Sequence, residues 1–443
     1  MKKIIIFLLM FFLCIPLFTQ TPKNVILFIG DGMGLSLIDL ARIVLKGNDK
    51  YLNFEKAPTV GLTKTYCADN LITDSAAAGT AIACGHKTKQ YWLGVDRNNK
   101  HVLNLVEIAH AMNKKTGVIT NVTVTHATPA AFLFHGTNRR NECEIAEQYL
   151  ENNNIDLILG GGKAYFLPST DPESQRYDKR NLLQEFQEKN FNVVLDKHQL
   201  AASVLQTKKI LGVFYKNDLP YAIDYPYESQ LIPTLSEMTS HAIQYLSKHQ
   251  NGFFLMVESG KIDWAMHAHD AGSAIQEIAQ LEKAYQVALD FLETHPDTLI
   301  LVTADHETSG MGLGTGRNLY PQVFSNQKMS VYSFANMYLK DNMSFRDVRQ
   351  LFQQHFQIDQ IENKDLETIF EVDSKEWYMR KRMRGVAEII AKQVCIGFTT
   401  SGHTGQSVPV YAIGAGHESF SGVYENIAIF QKIQNFLQIE KKE

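Results

Sequence analysis

Short apolar, β-branched runs alternate with longer amphipathic stretches along most of this chain, and that alternation narrows the fold class more than any other feature. A strand covered on both faces reads as a continuous hydrophobic run, and the stretches between such runs supply the covering helices. Strands are expected over Val25–Ile29, Gly117–Asn121, Asp156–Leu159, Phe253–Val257, Thr298–Thr303 and Pro409–Ile413. Helices are expected over Val102–Met112, Glu142–Asn152, Thr234–His249, Ala271–Glu293 and Asn426–Leu437. The pattern is that of an α/β chain with a parallel sheet and helices on both of its faces. From Gly314 to Gln393 the alternation stops. That stretch is more charged, holds amphipathic segments such as Trp377–Gln393, and reads as a cap inserted into one large domain over residues 21–443.

The chain of 443 residues is long enough for a large core, and 45% hydrophobic with 20% charged residues is ordinary for a soluble globular protein. Its 43 basic and 47 acidic residues give a net charge of −4, which argues against a general nucleic-acid binder. Lys2 and Lys3 precede an apolar run from Ile4 to Phe18, ended by Thr19, Gln20, Thr21 and Pro22. That is the pattern of a secretory signal peptide over residues 1–20, shorter than the roughly 20 apolar residues a membrane span needs. Export to the periplasm or the extracellular space is expected, with no membrane span afterwards. Cys67, Cys84, Cys143 and Cys395 form no CxxC pair and have no zinc-finger spacing, so they read as structural or free thiols, with their pairing open.

Polar residues gather where strands end. Val25–Ile29 runs into Gly30-Asp31-Gly32-Met33-Gly34, Phe253–Val257 into Glu258-Ser259-Gly260, and Thr298–Thr303 into Ala304-Asp305-His306-Glu307. Open α/β sheets bind ligands beyond the carboxyl ends of their strands, so these groups are expected on one edge. Asp263 and His267 are four apart and face the same way on a helical turn, and His403 sits in Gly402-His403-Thr404-Gly405. Carboxylates and imidazoles without thiolate suit catalytic zinc or a mixed zinc and magnesium site. In Thr73-Asp74-Ser75-Ala76-Ala77-Ala78-Gly79-Thr80-Ala81, Asp74 or Ser75 opens a closely packed helix, where a hydroxyl meets the positive helix end. Ser75 has no G-x-S-x-G setting, so a metal would have to activate it. Arg139 or Arg140, beyond His126-Ala127-Thr128-Pro129-Ala130-Ala131, could clamp a phosphate; the residues alone do not choose between them. His269 and His417 are lesser candidates.

The segments VILFIGDGMG, TDSAAAGTA, HATPAA, VESGKIDWAMH, TADHE and SGHTG, in this order, closely resemble those of the alkaline phosphatase family. The resemblance covers most of the chain outside the 314–393 region. It implies a doubly wound, mostly parallel α/β sheet, two Zn2+ and one Mg2+ per subunit, and usually a homodimer. It further implies hydrolysis of small phosphate monoesters at alkaline pH through a phosphoserine. Carried over residue by residue, Ser75 matches the nucleophile. Asp263, His267 and His403 match the ligands of one zinc, and Asp305, His306 and Asp31 those of the other. Asp31 also reaches magnesium, whose remaining ligands match Thr128 and Glu258. Arg139 falls at the phosphate-binding arginine, which decides against Arg140. Two positions depart from the best-known bacterial pattern: His126 replaces an Asp near magnesium, and Trp264 replaces a Lys near the phosphate. Both are counted with Arg139 as substrate-binding. The competing reading is a phosphodiesterase or sulfatase on a related scaffold. A sulfatase needs Cys/Ser-x-Pro-x-Arg, whereas Ala76-Ala77-Ala78 follow Ser75.

Overall fold

The computed structural model describes residues 21–152, 154–341, 343–370 and 378–438. The expected signal segment and Trp377 lie outside them. One sheet holds ten strands: β1 (Asn24–Gly30), β2 (Thr59–Lys64), β3 (Lys115–Thr123), β4 (Leu157–Gly161), β5 (Phe191–Val194), β6 (Lys209–Val213), β7 (Phe253–Ser259), β8 (Thr298–Thr303), β9 (Val408–Gly414) and β10 (Gly422–Glu425). Across the sheet the order is β10-β2-β9-β8-β1-β7-β3-β4-β6-β5. Strand β9 pairs antiparallel with β8 and β2, and every other neighbouring pair is parallel. The mostly parallel sheet expected from the alternation is present, with one strand reversed.

All seven residues of β1 are buried, because β7 and β8 flank it and helices cover both faces. Successive side chains of a strand point to opposite faces. Val25, Leu27 and Ile29 therefore join one core, with Ala76, Ile82, Leu105, Ile145 and Ile433 from helices on that side. Ile26 and Phe28 join the other, with Leu37, Met238, Ile278 and Leu281. The expected helices appear as Leu105–Ala111, Glu142–Glu151, Leu235–Leu246, Ala271–Thr294 and Ile427–Gln438. Among the described residues no helix is long and apolar enough to cross a membrane. Cys67, Cys84, Cys143 and Cys395 are free thiols.

The region that breaks the alternation is helical: Gln322–Asn326, Val331–Tyr338, Phe345–Phe356, Asn363–Phe370 and Tyr378–Val394. The chain enters it after a short strand, Met311–Leu313, and leaves it through Ile396–Phe398, and these two strands pair antiparallel. Its side chains Phe324, Val331, Phe334, Phe352 and Val394 are continuous with the core that holds Ile26 and Phe28. Buried Asp270 ties it down. One oxygen accepts from Ser273 N and Gln327 Nε2, each at 3.0 Å, and the other from Ser273 Oγ at 2.6 Å and Val331 N at 2.8 Å. Asp270→Ala would take this acceptor from Ser273 N, Ser273 Oγ and Val331 N, while Gln327 Nε2 would keep only Met329 O. It is expected to cost about 3 kcal/mol in urea unfolding; a loss below about 0.5 kcal/mol, the level of an ordinary surface change, would show that the anchor is idle.

Candidate active site

Four neighbouring strands, β8, β1, β7 and β3, deliver the chemistry to one edge of the sheet. Asp305 and His306 follow β8, Asp31 follows β1, Glu258 is the next-to-last residue of β7, and His126 and Thr128 follow β3. Gly32 makes the turn after β1 possible, with φ of +72°. A Cβ there would sit 2.6 Å from Thr308 Oγ1 and 3.0 Å from Asp263 Oδ1. Gly32→Ala is expected to lower divalent-cation affinity at least about tenfold by pushing Asp263 aside. Isothermal titration of the chelated protein would read it, and unchanged affinity would refute the role of this turn.

Asp31, Asp305 and His306 are fully buried. His306 Nε2 lies 3.4 Å from Asp31 Oδ1, 3.3 Å from Asp305 Oδ2 and 3.2 Å from Ser75 Oγ. In a serine-histidine relay the carboxylate faces the other ring nitrogen and the hydroxyl faces this one. Here the oxygens converge on the same nitrogen, while Nδ1 lies 3.3 Å from the Thr308 hydroxyl. Convergence on one point is how ligands surround a cation. Burial and the charge of His403 hold His306 well below the usual imidazole range, so it is neutral. Burial, followed by the charges of Asp305, Asp263 and Glu258, pushes Asp31 far up, and burial and Asp263 push Asp305 up to about 7.

A second cluster joins Asp263, His267 and His403. Asp263 and His267 ride on the helix Lys261–His267, and the two imidazole Nε2 atoms stand 3.2 Å apart. His267 Nδ1 donates to Ser401 O at 2.6 Å and His403 Nδ1 to Thr73 O at 2.9 Å, which turns both Nε2 atoms toward each other and the Asp263 carboxylate. Burial opposes ionisation of Asp263, yet His267 and then His403 outweigh it and keep its carboxyl well below the usual range. The Thr308 hydroxyl donates to its Oδ1. Asp263 also stands in the middle cluster, with Asp31 and His306.

The third cluster is Asp31, His126 and Glu258. Burial pushes Glu258 up to about 8, although the Thr120 hydroxyl donates to its Oε2. Burial and the Arg139 guanidinium push His126 down to about 3. His126, expected near magnesium and among the substrate-binding residues, therefore stands in this cluster as a neutral imidazole. Trp264, 42% exposed, lies with its ring 6.2 Å from that of His126 and forms part of the rim.

Ser75 opens the helix Ser75–Cys84, capped by Asp74, whose Oδ1 accepts from Ala77 N at 3.1 Å. Small residues let that helix sit deep: a Cβ on Gly79 would lie 3.0 Å from Ala131 Cβ of the helix Ala127–Ala131. Arg139 donates to Asp74 Oδ2 at 3.0 Å and to His126 Nε2 at 3.1 Å, which places its guanidinium beside Ser75. Arg140 instead lies over the exposed Tyr91 ring, 4.8 Å from its centroid. His269 bonds Thr400 O at 2.9 Å and His417 bonds Thr59 Oγ1 at 2.7 Å, so neither joins a cluster. The residues that sequence reasoning missed are the supporting ones: Thr308, Thr73, Ser401 and Asp74. Only Asp74 had a local signal, its cap position.

Divalent cations fit this donor set. Both oxygens of Asp31 and Oε1 of Glu258 are buried without a hydrogen bond. Buried carboxylate oxygens without hydrogen bonds would be costly unless positive charge fills the space between them. A buried hydroxyl and a guanidinium beside such clusters, on the carboxyl edge of an α/β sheet, define a hydrolytic enzyme that works with bound cations. Residues 22–439 match the family model described as alkaline phosphatase, and the chain belongs to that family, a family of phosphomonoesterase hydrolases. It is 34% identical to alkaline phosphatase 4 of Bacillus subtilis over 91% of this chain and 86% of that one, and 35% identical to alkaline phosphatase 3 of the same organism over 95% and 90%. Among solved structures, the cold-active alkaline phosphatase of Shewanella sp. superposes with a TM-score of 0.81 at 31% identity, covering 94% of this chain and 99% of that one. A histidine-to-aspartate variant of the TAB5 alkaline phosphatase, with Mg bound in its M3 site, superposes with a TM-score of 0.69 at 30% identity, covering 95% and 99%.

Proposed function

We propose that this enzyme hydrolyses small phosphate monoesters through a phosphoserine at Ser75, with two zinc ions and one magnesium ion per subunit. The convergence of Asp31, Asp305 and Ser75 on a single nitrogen of His306 carries the reading. Asp263, His267 and His403 would hold one zinc, and Asp31, Asp305 and His306 the other. Asp31, Thr128 and Glu258 would hold magnesium, with His126 beside it; the magnesium of the TAB5 variant supports a third site of this kind. Bound there, such cations supply Lewis-acid stabilisation of phosphate charge and lower the pKa of a nearby hydroxyl or water.

The chain's own part is positional. Ser75 Oγ attacks phosphorus, forming one P–O bond as the bond to the alcohol oxygen breaks; the Ser75 proton passes to solvent and the departing oxygen takes one up. Water then attacks the phosphoserine, Ser75 Oγ leaves and regains a proton, and inorganic phosphate is released. Arg139 orients the non-bridging oxygens with paired N–H groups, and the N-terminus of the helix Ser75–Cys84 favours their charge. Trp264 and His126 border the same space. Acid quenching during turnover of a 32P-labelled monoester should leave label on the Ser75 peptide. Label elsewhere, or none during steady turnover, would refute the covalent route.

The enzyme is exported after loss of residues 1–20 and works outside the cytoplasm as a homodimer, with the 314–393 helices as an inserted cap. The charged-then-apolar start of the chain supports the export reading, and the ribbon that closes the base of the helical region supports the cap.

A further inference from the structure

We infer that Asn121 is a positioning residue: from the end of β3 it caps the helix Lys261–His267 from outside and so fixes where Asp263 and His267 point. This rests on the reading of those two side chains as cation ligands. The first N–H groups of any helix need partners from outside it. Here the N-cap position is Gly260, which has no side chain to offer. None would fit: a Cβ on Gly260 would lie 2.8 Å from both methyl carbons of Val122 and 3.2 Å from Glu258 Oε1. The cap therefore comes from elsewhere in the chain. Asn121 Oδ1 accepts from Gly260 N at 2.8 Å and from Lys261 N at 3.2 Å.

The far end of the amide is held as firmly. Asn121 Nδ2 donates to Glu277 Oε2 at 2.8 Å, and Glu277 Oε1 accepts from Ala222 N at 2.7 Å. With N–H groups on one side and a carboxylate on the other, only one orientation of the amide satisfies every partner. Both residues are buried, Asn121 at 5% exposure and Glu277 at 1%. Neither belongs to the three cation clusters. The helix they cap has seven residues, about two turns, so one cap is a large share of its hydrogen bonding. Any tilt at its start is carried to Asp263 in the first turn and to His267 at the far end.

The pair allows a reciprocal exchange. Asn121→Ala removes the cap. Asn121→Asp keeps an acceptor for the helix but sets two carboxylates face to face. Adding Glu277→Gln to Asn121→Asp restores one amide and one carboxylate with their places swapped, and leaves an oxygen for Ala222 N. In the full-length protein stripped of metal, zinc affinity would be measured by competition with a chromophoric chelator. Asn121→Ala and Asn121→Asp are each expected to weaken binding about 10- to 100-fold, and Asn121→Asp/Glu277→Gln to return it toward wild type. Activity at limiting zinc should follow affinity, and activity at excess zinc should largely recover. His267→Ala is the reference. If it binds zinc like wild type, the ligand reading fails and the cap is not at fault. If it loses zinc while Asn121→Ala and Asn121→Asp keep wild-type affinity, or the exchange brings no recovery, the positioning role of Asn121 is overturned. Should Asn121→Ala fail to fold, Asn121→Asp and the exchange decide the question.

Discussion

Ser75→Ala is expected to lower kcat for a small aryl phosphate by at least about 10³-fold while phosphate still binds as a competitive inhibitor. The buried Oγ is the atom of Ser75 that meets the middle cluster, 3.2 Å from His306 Nε2. Its removal leaves Asp31, Asp305 and His306 in place, and Arg139 keeps its bonds to Asp74 and His126. The nearby Thr73 and Thr308 hydroxyls are already engaged: Thr73 donates to the Asp74 carbonyl and Thr308 to Asp263. What remains is direct attack by water on a bound ester, without the covalent step that divides the barrier. Steady-state kinetics with phosphate inhibition would separate chemistry from binding. A variant within about tenfold of wild type in kcat would end the case for Ser75 as nucleophile.

Chelation is expected to reverse the direction in which stability depends on pH. In the metal-free protein burial raises the folded-state pKa of Asp305 to about 7, that of Glu258 to about 8, and that of Asp31 well above its usual range. A carboxyl whose folded pKa lies above its unfolded one stabilises the fold fully below the unfolded value, near pH 4, and that contribution is lost as pH rises through the folded value. Asp263 has the opposite sign, but its window lies below about pH 4. His126 and His306, held neutral by depressed pKa values, contribute with the opposite sign, but only up to about pH 6.5. From there to pH 9 the metal-free protein should lose stability, roughly 3 kcal/mol across the three carboxyls. The protein loaded with zinc and magnesium should gain stability over the same interval, because cations and protons compete for the same oxygens. Melting temperatures across that range, with chelator and with metal, would test this. Parallel curves would mean that the carboxylates are not where the cations sit.

The centre of the fold was legible because its strands are fully covered. Val25–Ile29 and Thr298–Thr303 are unbroken apolar runs, and the observed strands extend them by a residue at each end or match them. The strands that went unread lie toward the sheet's sides: Thr59–Lys64, Phe191–Val194, Lys209–Val213 and Gly422–Glu425. Thr59–Lys64 alternates buried and open positions around Gly61, and Phe191–Val194 and Gly422–Glu425 have four residues each, too few to show a period. The site was legible where chemistry sits at a strand end or on one helical face, as with Asp31, Glu258, Asp263 and His267. Its supports were not. The carbonyl of Thr73 meets His403 across 330 residues of chain, and Asn121 meets Lys261 across 140. A backbone oxygen or a lone amide carries no mark of such a meeting until the sheet brings the two together.

Two carboxylates are held in common: Asp263 by the cluster of His267 and His403 and the middle cluster, Asp31 by the middle cluster and that of His126 and Glu258. The centre is thus a row with shared walls, not three separate containers. Whatever binds at one end redistributes charge for its neighbour, and by linkage the neighbour answers in equal measure. A change at the His126 end of the row is therefore felt at Ser75, beside the middle cluster, through charge alone.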